Sequence, residues 1–216
     1  MTWWLGAGLL LWTGCAEQGQ MRRSLAWPYQ PTNLYRRADR LPTTLQRVAI
    51  LPLTAEEQNL AAQTDRPTLE TILQAELRKQ AACEWVLVSP AQLLAWSGRA
   101  AWRQEDPLPT DLLVKIRDHT GSQGLLFAHL SVYRPYPPLA VGWRLSLIDC
   151  EERMTHWSVD EVFDGGSANV IKAAQAYFRS EMNQPSSDLD STAVLTSPRR
   201  FAQYSAATIL TTLPGR

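Results

Sequence analysis

Between residues 124 and 163 the chain carries apolar side chains at period two in three successive stretches, a spacing that suits strands and not helices. Residues 124–133 form a near-continuous apolar run. Leu139, Val141, Trp143, Leu145 and Leu147 then alternate with Ala140, Gly142, Arg144 and Ser146, and Thr155, Trp157, Val159 and Phe163 alternate again. A turn in the segment Arg134-Pro135-Tyr136-Pro137-Pro138 joins the first two, and a polar turn around Glu151-Glu152 precedes the third. The pattern predicts three meandering strands.

Upstream the periodicity is of another kind. Residues 47–53, RVAILPL, read as a short buried strand ended by Pro52. Pro67 opens a helical pattern with Leu69, Ile72, Leu73 and Leu77 on one face. Residues 84–88, EWVLV, form a second strand, and Ser89-Pro90 cap a short helix carrying Leu93, Leu94 and Trp96. A Thr110 cap, with Leu112, Leu113 and Ile116 on one side and Gly121 beyond, marks another helix. Gly165-Gly166-Ser167 break the last strand and start a helix striped by Val170, Ile171, Ala174, Tyr177 and Phe178. About five strands and at least four helices predict an α/β (α+β) fold, a two-layer mixed sheet with helices packed on it, over residues 46–183.

Residues 184–196 have the composition of a linker, and Ser197-Pro198 start a C-terminal helix within residues 197–216 that docks on the domain or on a partner. The 216 residues, 45% hydrophobic, suffice for one core. With 21 basic against 21 acidic side chains the net charge is zero, which gives nucleic acid no global attraction. The longest apolar run, residues 3–12, is too short for a spanning helix, which needs about 18 or more.

Residues 1–15 read MTWWLGAGLLLWTGC, an apolar run followed by Thr13, Gly14 and Cys15, which has the shape of an export signal. Trp12 to Cys15 resembles the cleavage motif of a bacterial lipoprotein signal. The resemblance implies a signal peptide over residues 1–14 and lipidation of Cys15 with diacylglycerol and a further acyl chain. Each buried CH₂ contributes about 0.8 kcal/mol, so several chains hold the protein on a bilayer effectively permanently. Ala16, where Asp is associated with inner-membrane retention, points by the same resemblance to the outer membrane, periplasmic face. Residues 15–45, with Arg22, Arg23, Arg36, Arg37 and Arg40 against Glu17 and Asp39, then read as a lipidated, flexible tether. A cytoplasmic protein whose first residues are not a leader is the reading against which this one stands.

Cys83 and Cys150 remain once Cys15 carries lipid. A Cys83–Cys150 disulfide is open to an exported chain, and so is a pair of buried thiols, since each cysteine flanks a strand. Nothing in the spacing of Cys and His suggests a metal, and no cofactor is expected.

The order strand, helix, strand, helix, helix, three meandering strands and helix resembles a recurring envelope-lipoprotein domain. RVAILPL, HTGSQGLLFAHLSVY and WRLSLIDCEERMTHW carry the likeness. The group includes the curli-secretion lipoprotein, lipoprotein activators of penicillin-binding proteins and the amino-terminal domain of the Tol propeller protein. Membership implies a non-catalytic accessory to secretion or cell-wall machinery that binds an envelope protein or self-associates.

His156, Ser158 and Asp160 have the composition of a hydrolase triad, but at roughly 3.3 Å per residue the His and Asp of one straight strand lie about 13 Å apart. Asp160 and Asp164 are the paired carboxylates a periplasmic hydrolase of peptidoglycan or polysaccharide would use, the competing function. His119 and His129 read as structural. Tyr133, Arg134 and Tyr136 at the hairpin tip, with nearby Trp143, form the expected partner-binding surface, because tyrosine and arginine are enriched in binding hot spots.

Overall fold

A computed structural model of the chain describes residues 29–181 and 193–216. Their centre is a mixed, seven-stranded sheet. The strands are β1 (Leu34–Arg36), β2 (Arg47–Ile50), β3 (Thr54–Ala55), β4 (Glu84–Leu87), β5 (Gly124–Arg134), β6 (Ala140–Asp149) and β7 (Thr155–Asp164). They run in the order β1-β7-β6-β5-β2-β4, with β3 beside β5 further along the edge that β2 occupies. The predicted meander is β5-β6-β7, paired antiparallel, while β2, β3 and β4 run parallel to their neighbours. Sequence reading expected about five strands. The additional two, β1 and β3, have three and two residues, too few to display a period.

Helices cover both faces. On one lie α1 (Leu60–Arg78), α4 (Ala168–Glu181) and α5 (Pro198–Leu210), packed on Trp143, Leu145, Trp157, Val159 and Phe163. On the other, α2 (Pro90–Ser97) and α3 (Leu112–Thr120) bury Ala49, Leu51, Leu125 and Phe127. The second group covers only the β4-β2-β5 side, leaving the β6-β7-β1 side of that face without a helix among the described residues.

Local chemistry sets the helix ends. Ser89 and Gln92 form a reciprocal capping box at α2, and Gly121 closes α3 at a φ of 67°, a conformation that costs glycine little. Helix α1 begins at Leu60, not at Pro67 as its proline suggests. The Asn59 side chain accepts from Ala62 N and donates to Tyr133 O, and Gln63 donates to Ala55 O and Glu56 O, so tertiary bonds hold the turns ahead of the proline. Leu94, expected in the core, is exposed, and Leu93 alone of α2 is buried.

The tether expected up to residue 45 ends earlier. Strand β1 pairs antiparallel with β7, Leu34 opposite Val159 and Arg36 opposite Trp157, and Leu41 and Leu45 are buried. The outer edge of β7 would otherwise present unpaired N–H and C=O groups, and β1 satisfies part of it. Arg37 N donates to His156 O and Asp160 N to Asn33 O, extending the pairing beyond the strand.

Helix α5 is the central helix of its layer. Phe201, Ala202, Tyr204, Ser205, Ala206, Thr208, Ile209 and Leu210 are all buried, a spread wider than one stripe. Trp143 Nε1 donates to Ser205 Oγ at 2.8 Å and Trp157 Nε1 to Thr212 Oγ1 at 3.1 Å, so α5 and its C-terminal turn satisfy both buried indoles. Of the two dockings left open for this helix, the structure takes the one on its own sheet.

Candidate functional site

The uncovered side of the sheet carries a polar row built by register. Thr54 on β3 is paired with His129 on β5, His129 with Arg144 on β6, and Arg144 with Asp160 on β7. The adjoining row runs Phe127, Ser146, Ser158 and Tyr35. A β-bulge follows this site on β5, between Leu130 and Val132. A Cβ on Gly142 opposite would come within 2.6 Å of Ser131 Oγ and 3.0 Å of Val132, so a larger residue there would have to displace the bulge.

His129 is the buried member, with 3% of its surface exposed. Its Nε2 lies 3.0 Å from Glu56 Oε1 and its Nδ1 2.9 Å from Thr54 Oγ1. Burial, the largest cause, lowers its pKa, so the ring is neutral. Because an ionised carboxylate only accepts, Nε2 carries the proton and Nδ1 is the acceptor for the Thr54 hydroxyl. That hydroxyl has a second acceptor, Ala128 O at 3.1 Å. Glu56 is in turn held below the usual carboxylate range, chiefly by the His129 hydrogen bond.

Residues 103–105 reach over this row. Arg103 donates to Ala55 O at 3.1 Å and stands 3.7 Å from Glu56 Oε1. Glu105 pairs with Arg144 NH1 at 3.0 Å, while Arg144 Nε holds Asp160 Oδ2 at 2.8 Å. Between segment and sheet lies a small cleft lined by Arg103, Glu105, Phe127, His129, Arg144 and Ser146. Its interior has room for about one water molecule, far less than a small-molecule site offers. Ser146 Oγ is buried at its floor without a hydrogen-bond partner among the described residues.

The arrangement Thr54-His129-Glu56 has the connectivity of a hydroxyl, base and orienting carboxylate. Sequence reading missed it. Glu56 and His129 are 73 residues apart, and the available signal was a lone histidine inside an apolar strand. The triad weighed from sequence is not assembled. Asp160 is taken by Arg144, and His156 is buried with its Nε2 3.9 Å from Asp149 Oδ2. Asp160 and Asp164 are bound to different arginines, Arg144 and Arg134. Among the described residues no group of three His, Cys, Asp or Glu side chains is placed to hold a metal ion.

The expected partner surface is corrected in two of its four members. Tyr133 is buried and its hydroxyl donates to Asp65 Oδ2 at 2.7 Å, burial first and Asp65 second raising its pKa. Trp143 is fully buried under α5. Both point to the helix-covered face, where a large ring buries the most area. Arg134 is half exposed, pairs with Asp164 and donates to Pro138 O, and Tyr136 stands 75% exposed. Cys83 and Cys150 are free thiols. Cys83 packs with the α1 and α5 core and Cys150 with the α2 and α3 core, so the sheet lies between them. Cys15 lies outside the described residues.

Solved structures are similar to this arrangement. PelC from Paraburkholderia phytofirmans, described as a dodecamer, is 14% identical over 87% of this chain and 95% of its own, with a TM-score of 0.42. Lipoprotein GNA1162 from Neisseria meningitidis is 14% identical over 68% of this chain and 90% of its own, at 0.40. The LpoB C-terminal domain from Escherichia coli is 16% identical over 55% and 82%, at 0.32. No protein-family model and no curated protein matches the chain.

Proposed function

We propose that the protein is a lipid-anchored accessory of the bacterial envelope, held by Cys15 on the periplasmic face of the outer membrane, and that it acts by binding an envelope protein or a second copy of itself. The observation that carries the binding role is that the ionisable groups of the uncovered face neutralise one another. Arg144 is shared by Glu105 and Asp160, and Arg103 by Glu56 and the Ala55 carbonyl. Asp160 and Asp164, the carboxylates a hydrolase would need, each belong to a separate ion pair. Two carboxyl groups working as acid and base need to share one cleft, about 5–9 Å apart, with one of them free to be protonated.

The half-exposed Tyr35 and Val162 with Ser158 on this strand face supply a mixed apolar and polar contact surface. For the anchor, the support is the Trp12 to Cys15 motif ahead of a folded body. Radiolabelled palmitate should enter the full-length chain and be lost in Cys15→Ala. Detergent-solubilised membranes should yield a co-purifying envelope protein or a higher-order species of the chain, and Tyr35→Ala should weaken either. Turnover of peptidoglycan or polysaccharide by the purified chain would overturn the binding role.

A further inference from the structure

The two large apolar side chains most exposed among the described residues are Leu60, at 79%, and Tyr136, at 75%. They come from remote parts of the sequence to one end of the molecule, because the Asn59 side chain donates to Tyr133 O at 2.8 Å and thereby sets the first turn of α1 against the β5-β6 hairpin. Tyr136 is flanked by Pro135 and Pro137, which add apolar surface without N–H groups. At the same tip Arg134 and Asp164 neutralise each other.

The chain also enters the body at this end. Tyr29 packs on Phe163 with ring centroids 5.2 Å apart and donates to Glu161, and Phe163 is paired with Val141, itself paired with Tyr133 below the hairpin turn. Residues 16–28 separate Cys15 from Tyr29. Their reach is at most about 45 Å, and they join the domain at its hairpin end.

We infer that the hairpin tip, through Tyr136 and its prolines together with Leu60, sits in the headgroup region of the bilayer that holds Cys15. This rests on the lipid-anchor reading. Tyrosine suits the site because its ring is apolar while its hydroxyl stays at the wet boundary, and a leucine beside it gains from the same removal from water. Two such side chains do not bind a membrane firmly alone. On an anchored protein, however, their contact with the bilayer is intramolecular and is favoured by the high effective concentration that a short link imposes.

The test uses the acylated full chain carrying Tyr136→Cys, labelled with an environment-sensitive dye and reconstituted into phosphatidylethanolamine and phosphatidylglycerol vesicles. Cys150 is buried and Cys83 partly buried, so both are replaced by serine in the labelled chain and the added thiol alone takes the dye. Glu152→Cys, in the turn between β6 and β7 at the opposite end, is the control. The dye at 136 is expected to shift to shorter wavelength and to lose at least half its emission to a headgroup-proximal lipid quencher, with no change at 152. A protein that floats with the vesicles through its acyl chains while the dye at 136 reports water overturns the inference and leaves the anchor standing. A chain that carries no acyl group and does not float removes the anchor and the inference together. A shift that grows with protein concentration in the absence of vesicles assigns the tip to a second copy and overturns the bilayer assignment.

Discussion

Tyr29 donates its phenolic proton to Glu161 Oε1 across 2.6 Å, joining the first described residue to the last strand of the central meander. Glu161 is buried, and its other oxygen accepts from Thr32 N at 2.6 Å and Asn33 N at 3.3 Å. With Thr32 Oγ1 at 3.3 Å, one carboxylate gathers four donors from the segment leading into β1. Burial, and after it Glu161, pushes the Tyr29 hydroxyl above its ordinary range, so the phenol keeps its proton. Glu161→Ala should cost about 1.5–3 kcal/mol, the range for hydrogen bonds to a charged group, and should release β1 to proteolysis ahead of global unfolding. Limited digestion with cleavage sites mapped by mass spectrometry checks this, and equal protection of the wild type and variant before residue 37 would refute it.

Under α5 the same accounting applies to a neutral donor. Ser205→Ala leaves the Trp143 indole N–H without its acceptor in the core and should lower stability by about 1–3 kcal/mol. Trp143→Ala, which opens a cavity, should cost about 3–5 kcal/mol. Urea denaturation with an unchanged m-value is the measurement. If Ser205→Ala were neutral, the helix would be held by apolar burial alone.

His129 gives the fold a pH dependence whose sign follows from its lowered pKa. The unfolded chain, with a histidine near pH 6.5, binds a proton that the folded chain refuses, so stability from this group is fully present above that value. It is lost as pH falls from there through the lower folded value. Glu56, also lowered, adds a loss that begins as pH falls into the ordinary carboxylate range and continues through its lower folded value. His129→Gln should flatten the stability profile below about pH 6.5 while retaining a donor or acceptor toward Glu56 and Thr54. Denaturation midpoints measured across that window test it, and an unchanged slope would refute the assignment to His129.

The two cysteines should be slow to react while the chain is folded. Burial pushes Cys83 up to about 11 and Cys150 up to about 12, so neither thiolate is populated at neutral pH. A colorimetric thiol reagent should titrate both only after denaturant is added, and mobility on gels of the described body should be indifferent to reductant. Rapid modification of either without denaturant would contradict the packing on its side of the sheet.

Much of the architecture was readable because its signals are local. The meander announced itself through alternation, α2 through Ser89 and Gln92, and α3 through its apolar stripe and Gly121. Where the reading departed, a distant contact had overridden a local preference. Pro67 suggested a helix start, but Asn59 and Gln63 bind other elements and carry α1 past it. Tyr133 and Trp143 resembled a binding surface by residue type, yet their side of the pleat is the one that α1 and α5 cover. Alternation tells which residues share a face and is silent on which face receives the helices.

By itself the sequence determined the strand and helix inventory, the grouping of apolar side chains on faces, the two thiols beside strands and the motif at Cys15, because each depends on neighbours within a few positions. Only the tertiary structure decided the row Thr54, His129, Arg144 and Asp160, the clamp of Glu161 on residues 29–33, and the meeting of Leu60 with the hairpin tip. Those depend on pairing register and on the packing of segments tens of residues apart. A shift of one residue in register would turn every side chain of a strand to the opposite face, and the burial that fixes the register belongs to the whole assembled core.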